Sequence, residues 1–342
     1  MSVAPGSEPP LASVIVLGFN GREFLEDCLA SVLDQDLPLS QYEVIYVDNG
    51  SRDGSPELVR ERFPQVAVLG LDRNYGYAEG NNIGFRHTRG EFGVFLNQDT
   101  VVNRSWLREL VGGVRSAPDI MVGHANIIQS WYPEYQGMAQ RSGVSTVYTA
   151  ELTRLGYAHY RQMDPGDQPI DVLFLHGVSI IIRRQVVEEL GYVFDPDFFA
   201  YAEDMDLGLR VRALGYRCVV VPRAVVYHKH RLKRDPSWST VVKTVRIIRN
   251  RYLAFYKVMA LPEFALTAAL LTIGAPLNAG EFGLRLPQRI LYGLALAPMT
   301  LLALGATIRN LPRFAAKRRA VRARAARRGA WCFRALWSGV TA

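Results

Sequence analysis

The sequence predicts an α/β protein, a mostly parallel sheet flanked by helices, with a distinct helical region at its C-terminal end. Three observations predict it. Short β-branched apolar runs alternate with stretches of helical periodicity from residue 13 to residue 114. Several of those runs stop abruptly in polar residues. The charge is also divided: 12 of the 40 Lys and Arg lie beyond Glu281, where there is no Asp or Glu, while the chain before that point is mildly acidic. At 342 residues, with 49% apolar and 11% aromatic content, the chain has ample material for a core, which excludes wholesale disorder. The net charge of +8 resides in the tail rather than across the body. A general nucleic-acid-binding surface is therefore not implied.

The elements follow in order. Residues 1–11, rich in Pro, Ser and Gly, read as a flexible leader without the basic and apolar regions of a signal peptide. "SVIVLGF" (13–19) is the first strand, and Phe24, Leu25, Cys28, Leu29 and Val32 then recur at helical spacing. "EVIYVDNGS" (43–51), "VAVLGL" (66–71) and "FGVFLNQDT" (92–100) are further strands, each followed by a helical stretch. Ligands of parallel sheets bind at the carboxyl ends of the strands. Asn20, Asp48-Asn49 and Asn97-Gln98-Asp99 stand at such ends. Residues 124–171 are less regular, with Trp131, Tyr132, Tyr135, Tyr148, Tyr157 and Tyr160 among Gly, Pro and Gln. They read equally as a ligand-facing loop region and as a satellite core. "DVLFLHGVSIIIRR" (171–184) is a strand pair or one long strand broken at His176-Gly177. "DMDLGLRVRALGY" (204–216) is an amphipathic helix, and "RCVVVPRAVVYHKH" (217–230) reads as strand, proline, strand.

Glu203, Asp204 and Asp206 load the first turn of the 204–216 helix with negative charge. Acids there complement the helix dipole or cap its end. Beside the aromatic turn "FDPDFFAY" they could equally offer a general base. Cys28, Cys218 and Cys332 are odd in number and far apart, which argues for a reducing compartment and against a disulfide framework.

Five blocks in order, "SVIVLGFN", "VIYVDNGSRDGS", "NYGYAEGNNIGF", "FLNQDT" and "GYVFDPDFFAYAEDMDLGLRVRALGYRCVVVPRAVVYH", resemble the inverting family 2 glycosyltransferases, especially their rhamnosyltransferase-like branch. The resemblance covers about residues 12–230. It implies the GT-A (nucleotide-diphospho-sugar transferase) fold, a Rossmann-like sheet, over residues 12–250. "NQD" occupies the family's DXD position, with Asn97 where many members have Asp. Asp99 is then the carboxylate for Mg²⁺ or Mn²⁺ on the donor diphosphate, and His228 a second ligand or else an ordinary surface histidine. Phe19, Asn20 and Asp48 fall at the base and ribose contacts, unless "DNGSRDGS" is only turn chemistry. Asn74, Gly76, Asn82, Asn97 and Gln98 fall on the donor side, with helix capping the alternative for Asn82. Asp204 is the implied catalytic base. Glu203, Asp206, His176 and Gly177 fall on the acceptor side, although Asp206 could simply pair with Arg210 one turn on.

Residues 251–342 read as a membrane-associated helical region with a basic tail. The stretches 264–280 and 290–308 carry no charge, close to the minimum length for a span. They could cross the bilayer, lie in its interface or form a buried pair in a homo-oligomer. Trp331, Phe333 and Trp337 would be interfacial anchors. The expected site of action is the cytoplasmic face of the cell membrane. The expected donor is dTDP-rhamnose or a UDP-sugar, and the expected acceptor a polyprenyl-linked saccharide or glycan. A nucleotidyltransferase would want a Gly-rich basic loop where "GFNGREF" stands, and a dinucleotide-binding dehydrogenase would want GxGxxG after a strand. A membrane-anchored nucleotide-sugar-binding or scaffold subunit remains the non-enzymatic rival.

Overall fold

A computed structural model of the chain describes residues 8–129, 147–152, 158–163, 166–229, 238–273 and 286–327. Most of the leader, Trp131, Tyr132, Tyr135, Tyr157, Trp331, Cys332, Phe333 and Trp337 lie outside the described residues.

Strand β1 (Ala12–Gly18) runs parallel to β2 (Tyr42–Asp48) on one side and to β4 (Phe92–Asn97) on the other, with β3 (Ala67–Gly70) outside β2. The register sets Gly18 opposite Asp48 and Leu17 opposite Asn97. The polar ends of three adjacent strands thus come level at one edge. Successive side chains of a strand point to opposite faces, so each strand contributes to two layers. Val14, Val16, Tyr46, Val94 and Leu96 pack on Leu25, Cys28 and Leu29 of helix α1 (Arg22–Leu33) and on Trp106 and Leu110 of α4 (Trp106–Arg115). Ile15, Val47 and Phe95 face the other way, against Ala78 and Phe85 of α3 (Gly76–Arg86). Burying each such side chain contributes about 1.5–3 kcal/mol. Helix α2 (Ser55–Arg62) flanks β2 and β3.

Beyond β4 the sheet is mixed. β10 (Ser179–Arg183) runs antiparallel between β4 and β6 (Ile120–Gln129), β11 (Arg217–His228) lies parallel to β6, and β5 (Thr100–Val102) and β9 (Ile170–Val172) pair antiparallel with β11. β11 is one strand rather than two. Its register shifts between Val221 and Val225, on either side of Pro222, which has no N–H to give the ladder. The expected loop region contains an antiparallel pair, β7 (Val147–Leu152) with β8 (Ala158–Met163), on which Tyr148 and Tyr160 fall.

After α5 (Arg184–Leu190) and α6 (Glu203–Ala213) come α7 (Trp238–Val258), α8 (Leu261–Ile273) and the 42-residue α9 (Leu286–Arg327). The boundary drawn from composition at 250/251 falls inside α7. Met205, Leu209 and Ala213 of α6 share one apolar cluster with Tyr252, Phe255 and Val258 of α7 and with Phe314 and Val321 of α9. The C-terminal helices therefore pack on the α6 helix. Among the described residues no helix is long and apolar enough to cross a membrane. The uncharged stretch 290–308 lies within α9, which continues past Pro298 and Pro312 into the basic segment.

Candidate functional site

At the edge where a donor is expected, the strand ends are tied together by turn residues. Asp48 is buried at the end of β2 and accepts from Ser51 N–H at 3.2 Å, and Asn49 follows it. Asn20 adopts a left-handed conformation (φ 48°), and its Oδ1 accepts from Arg52 N–H at 2.9 Å. Phe19 stands 42% exposed at the end of β1, and its carbonyl accepts from Gln98 Nε2 at 3.2 Å. Asn74 and Gly76 form a second turn beside these. Asn74 Oδ1 accepts from Gly76 N–H at 2.7 Å, and Asn49 grips the turn from both sides, accepting from Tyr75 N–H at 2.9 Å and donating to Gly76 O at 3.1 Å. Gly76 has φ +80°, and a Cβ there would lie 2.4 Å from Phe199 O. Only glycine fits at no steric cost.

Asn82 does not join this edge. Its amide is buried and engaged with the backbone of Phe194, donating to the carbonyl at 2.7 Å and accepting from the N–H at 3.0 Å. It pins α3 to the segment before α6, which corrects both the donor contact and the cap expected of it.

Asp99 follows β4, and the antiparallel pairing of β5 with β11 sets Thr100 opposite His228. Asp99 Oδ1 thereby lies 3.3 Å from His228 Nε2. These two oxygen and nitrogen donors suit a hard or borderline divalent cation, the remaining coordination positions being open to water or a ligand. The described residues hold no group of three or more His, Cys, Asp or Glu able to bind a metal ion. A metal here would lean on its ligand as well as on the protein. Asn97 is half-buried on the same side.

Asp204 sits in the first turn of α6, above the start of β10. Its Oδ2 accepts from Gly177 N–H at 2.8 Å and its Oδ1 from Met205 N–H at 2.7 Å. Gly177 is fixed in turn, because its carbonyl accepts from Tyr77 O–H at 2.6 Å. Burial pushes the Asp204 carboxyl above its usual range, against the pull of those N–H groups and of Arg251. Burial first, then the neighbouring Asp204 charge, lifts Glu203 to about 8. Glu203 Oε2 is buried without a hydrogen-bond partner. With Glu203 lifted that far the pair keeps a proton at neutral pH, and an Asp204 carboxylate of raised basicity suits taking a proton from a hydroxyl.

Asp206 points the other way. Its side chain is fully buried between Arg210, at 2.8 Å, and Lys257 of α7. The pair with Arg210 is the alternative that helical spacing offered for Asp206, and Lys257 is a partner that spacing along one helix does not reveal. Lys257 also pairs with Asp195 at 2.7 Å, and Lys317 of α9 bridges Asp195 and Asp197. Arg313 pairs with Asp197, and Arg324 donates to Leu190 O at 3.1 Å. Part of the basic tail therefore neutralises the acids around α6. His176 lies half-buried beside Gly177.

Asn49 and Tyr77 complete the arrangement. Asn49 carried a signal, its place at a strand end. Tyr77 did not, since its role depends on a residue far along the chain.

The family model for glycosyl transferase family 2 matches residues 13–191. An N-acetylglucosaminyl-diphospho-decaprenol L-rhamnosyltransferase of Mycobacterium tuberculosis is 29% identical over 255 residues, covering 66% of this chain and 78% of that protein. An O-antigen biosynthesis protein, RfbC, of Myxococcus xanthus is 30% identical over 242 residues, 66% of this chain but 18% of that protein. Among solved structures, the mannosyltransferase PcManGT of Pyrobaculum calidifontis in complex with GDP-Man and Mn²⁺ superposes with a TM-score of 0.54 at 20% identity, over 94% of this chain and 88% of that one. GalNAc-T7 with UDP, GalNAc and Mn²⁺ gives 0.61 at 16% identity over 81% of this chain, which spans about half of it (52%). These neighbours share the GT-A fold. The chain is a glycosyltransferase and belongs to glycosyl transferase family 2.

Proposed function

We propose that the protein transfers a sugar, rhamnose before other hexoses, from a nucleoside-diphosphate sugar to a lipid-linked or polysaccharide acceptor of the cell envelope, with inversion at the anomeric carbon. One observation carries the reading: a carboxylate of raised basicity, Asp204, is held by backbone N–H groups at the edge of the sheet where β1, β2 and β4 present their polar ends. In this reading Phe19, Asn20 and Asp48 receive the nucleoside, and the turn Asn74–Gly76 approaches the sugar and phosphates. Asp99 and His228 would hold a divalent cation, whose chemistry is to draw charge from the departing diphosphate. Asp204 takes the proton of the acceptor hydroxyl as that oxygen bonds to the anomeric carbon. The bond from that carbon to the diphosphate breaks, and the nucleoside diphosphate leaves with the electron pair. A single displacement inverts the centre.

Rhamnose and a lipid-linked acceptor are favoured by the mycobacterial relative's name, and a divalent metal by the Mn²⁺ in two structural neighbours. The cytoplasmic membrane face is favoured by the basic, acid-free tail and by the exposed Leu261, Leu266, Leu301, Leu302 and Ile308 of α8 and α9. The test is donor hydrolysis and transfer across a nucleotide-sugar panel with Mn²⁺, Mg²⁺ or EDTA, beside Asp99→Ala and Asp204→Asn. Turnover of one donor, abolished by EDTA and by both substitutions, is expected. Turnover indifferent to EDTA and Asp99→Ala removes the metal from the reading, and turnover indifferent to Asp204→Asn removes the base.

A further inference from the structure

The segment that joins the 3₁₀ turn Pro196–Phe198 to α6 has an unusual backbone. Phe199 (φ 63°), Tyr201 (φ 75°) and Ala202 (φ 63°) all lie in the left-handed region, which residues with a Cβ rarely adopt. Three such residues in four persist only if the surroundings hold them. What holds them is one side chain of α7. Asn250 is fully buried, and its Nδ2 faces three carbonyl oxygens: Phe198 and Ala200, each at 3.1 Å, and Tyr201 at 2.7 Å. The orientation of the amide is set independently, because Arg249 donates to its Oδ1 at 2.6 and 2.9 Å. Arg246, one turn earlier on α7, lies 4.6 Å from the Phe199 ring centroid.

This segment joins the two halves of the site. Upstream, Phe199 O accepts from Ala78 N–H at 3.1 Å, in the first turn of α3, and abuts Gly76 of the donor-side turn. Downstream, Ala202 O accepts from Asp206 N–H at 2.9 Å and so begins the turn of α6 that carries Asp204. We propose that Asn250 is a positioning residue: by clamping the left-handed 199–202 segment it sets the placement of Asp204 relative to the donor-side turn. The proposal rests on the transferase reading above. It also makes α7 part of the catalytic apparatus rather than an appendage to it.

The test compares the full chain with Asn250→Ala, Asn250→Asp and the double variant Asn250→Ala/Ala202→Gly. Asn250→Ala lowers kcat by about 100-fold, the cost of displacing a catalytic group by about an ångström, with donor KM little changed. Asn250→Asp, the same size but with an oxygen facing three carbonyls, does no better than Asn250→Ala. Adding Ala202→Gly restores at least about tenfold, since glycine takes φ 63° without a Cβ conflict. A purely structural role predicts instead that kcat per folded molecule, measured well below the Tm of each variant, stays at the wild-type value. Amide hydrogen exchange supplies a readout without turnover. Peptides containing Gly177 and Met205, whose N–H groups bind Asp204, exchange faster in Asn250→Ala and recover in the double variant. Wild-type kcat in Asn250→Ala, no recovery with glycine, or unchanged exchange overturns the proposal. An inactive wild type with the expected exchange pattern overturns the transferase reading instead.

Discussion

Replacing Lys257 by Met removes the cation at the centre of the buried network that joins α6 to the C-terminal helices. The Lys257 side chain, like those of Asp195 and Asp206, is 0% exposed, so water cannot replace it without opening the core. Breaking a buried ion pair by deleting one partner costs about 3–5 kcal/mol, because the remaining charge is stranded. Here each aspartate keeps a second cation, Lys317 for Asp195 and Arg210 for Asp206, which places the loss near 3 kcal/mol, toward the lower end of that range. In a chain of 342 residues such a loss lowers Tm by about 4 °C. The assay is urea and thermal unfolding followed by circular dichroism. The pH dependence checks the cause. Burial alone would raise the Asp195 carboxyl, but Lys257 and Lys317 together hold it well below the ordinary carboxylate range. A carboxylate depressed on folding stabilises the protein above its unfolded pKa of about 3.9, and that stabilisation is lost as pH falls through the lower folded value. The gap between wild type and Lys257→Met is therefore full at pH 7 and narrows below about pH 4. A variant as stable as wild type at pH 7, or a gap unchanged down to pH 2, would refute the electrostatic account.

Three further outcomes follow from the geometry. Gly76→Ala forces a left-handed residue with a side chain against Phe199 and costs about 1–2 kcal/mol from the backbone alone; calorimetry should show weakened donor binding and melting a lowered Tm. Glu203 is raised on folding from 4.5 to about 8, so its contribution is complete below pH 4.5 and lost as pH rises through 8. Glu203→Gln is therefore more stable than wild type at pH 9 but not at pH 5, as urea unfolding at the two pH values will show. The raised carboxyl of Asp204 moves the acid limb of kcat/KM above the 3.9 of an ordinary aspartate, and a limb at or below that value would remove Asp204 as the group that titrates.

Local chemistry made the donor half legible from sequence. Runs such as Val14–Leu17 and Val44–Val47 are short, β-branched and apolar, and their polar ends mark where parallel strands leave the sheet. The blocks around "NQD" and "AEDMD" likewise announced charged residues at strand and helix ends, and the family match spans the first of them. Asn82 and Asp206 show why the rest was not legible. A polar residue near a site looks the same in sequence whether it faces ligand or fastens the protein to itself. Asn82 finds the backbone of Phe194, and Asp206 finds Lys257. Neither partner can be inferred from helical spacing.

The sequence by itself determined the alternation of strands and helices, the polar strand ends and the acid-free basic tail, because periodicity and charge are properties of neighbouring residues. Tertiary structure alone decided which acids remained available for chemistry. It paired Asp195, Asp197 and Asp206 with Lys257, Arg210, Arg313 and Lys317, and left Asp204 on backbone N–H groups beside a buried Glu203. It also brought Asn250 to three carbonyls of a segment about fifty residues earlier in the chain. The physical reason is common to both. A buried charge or carbonyl must find a partner within about 3 Å, and which residues come that close depends on helix packing, which local pattern does not encode.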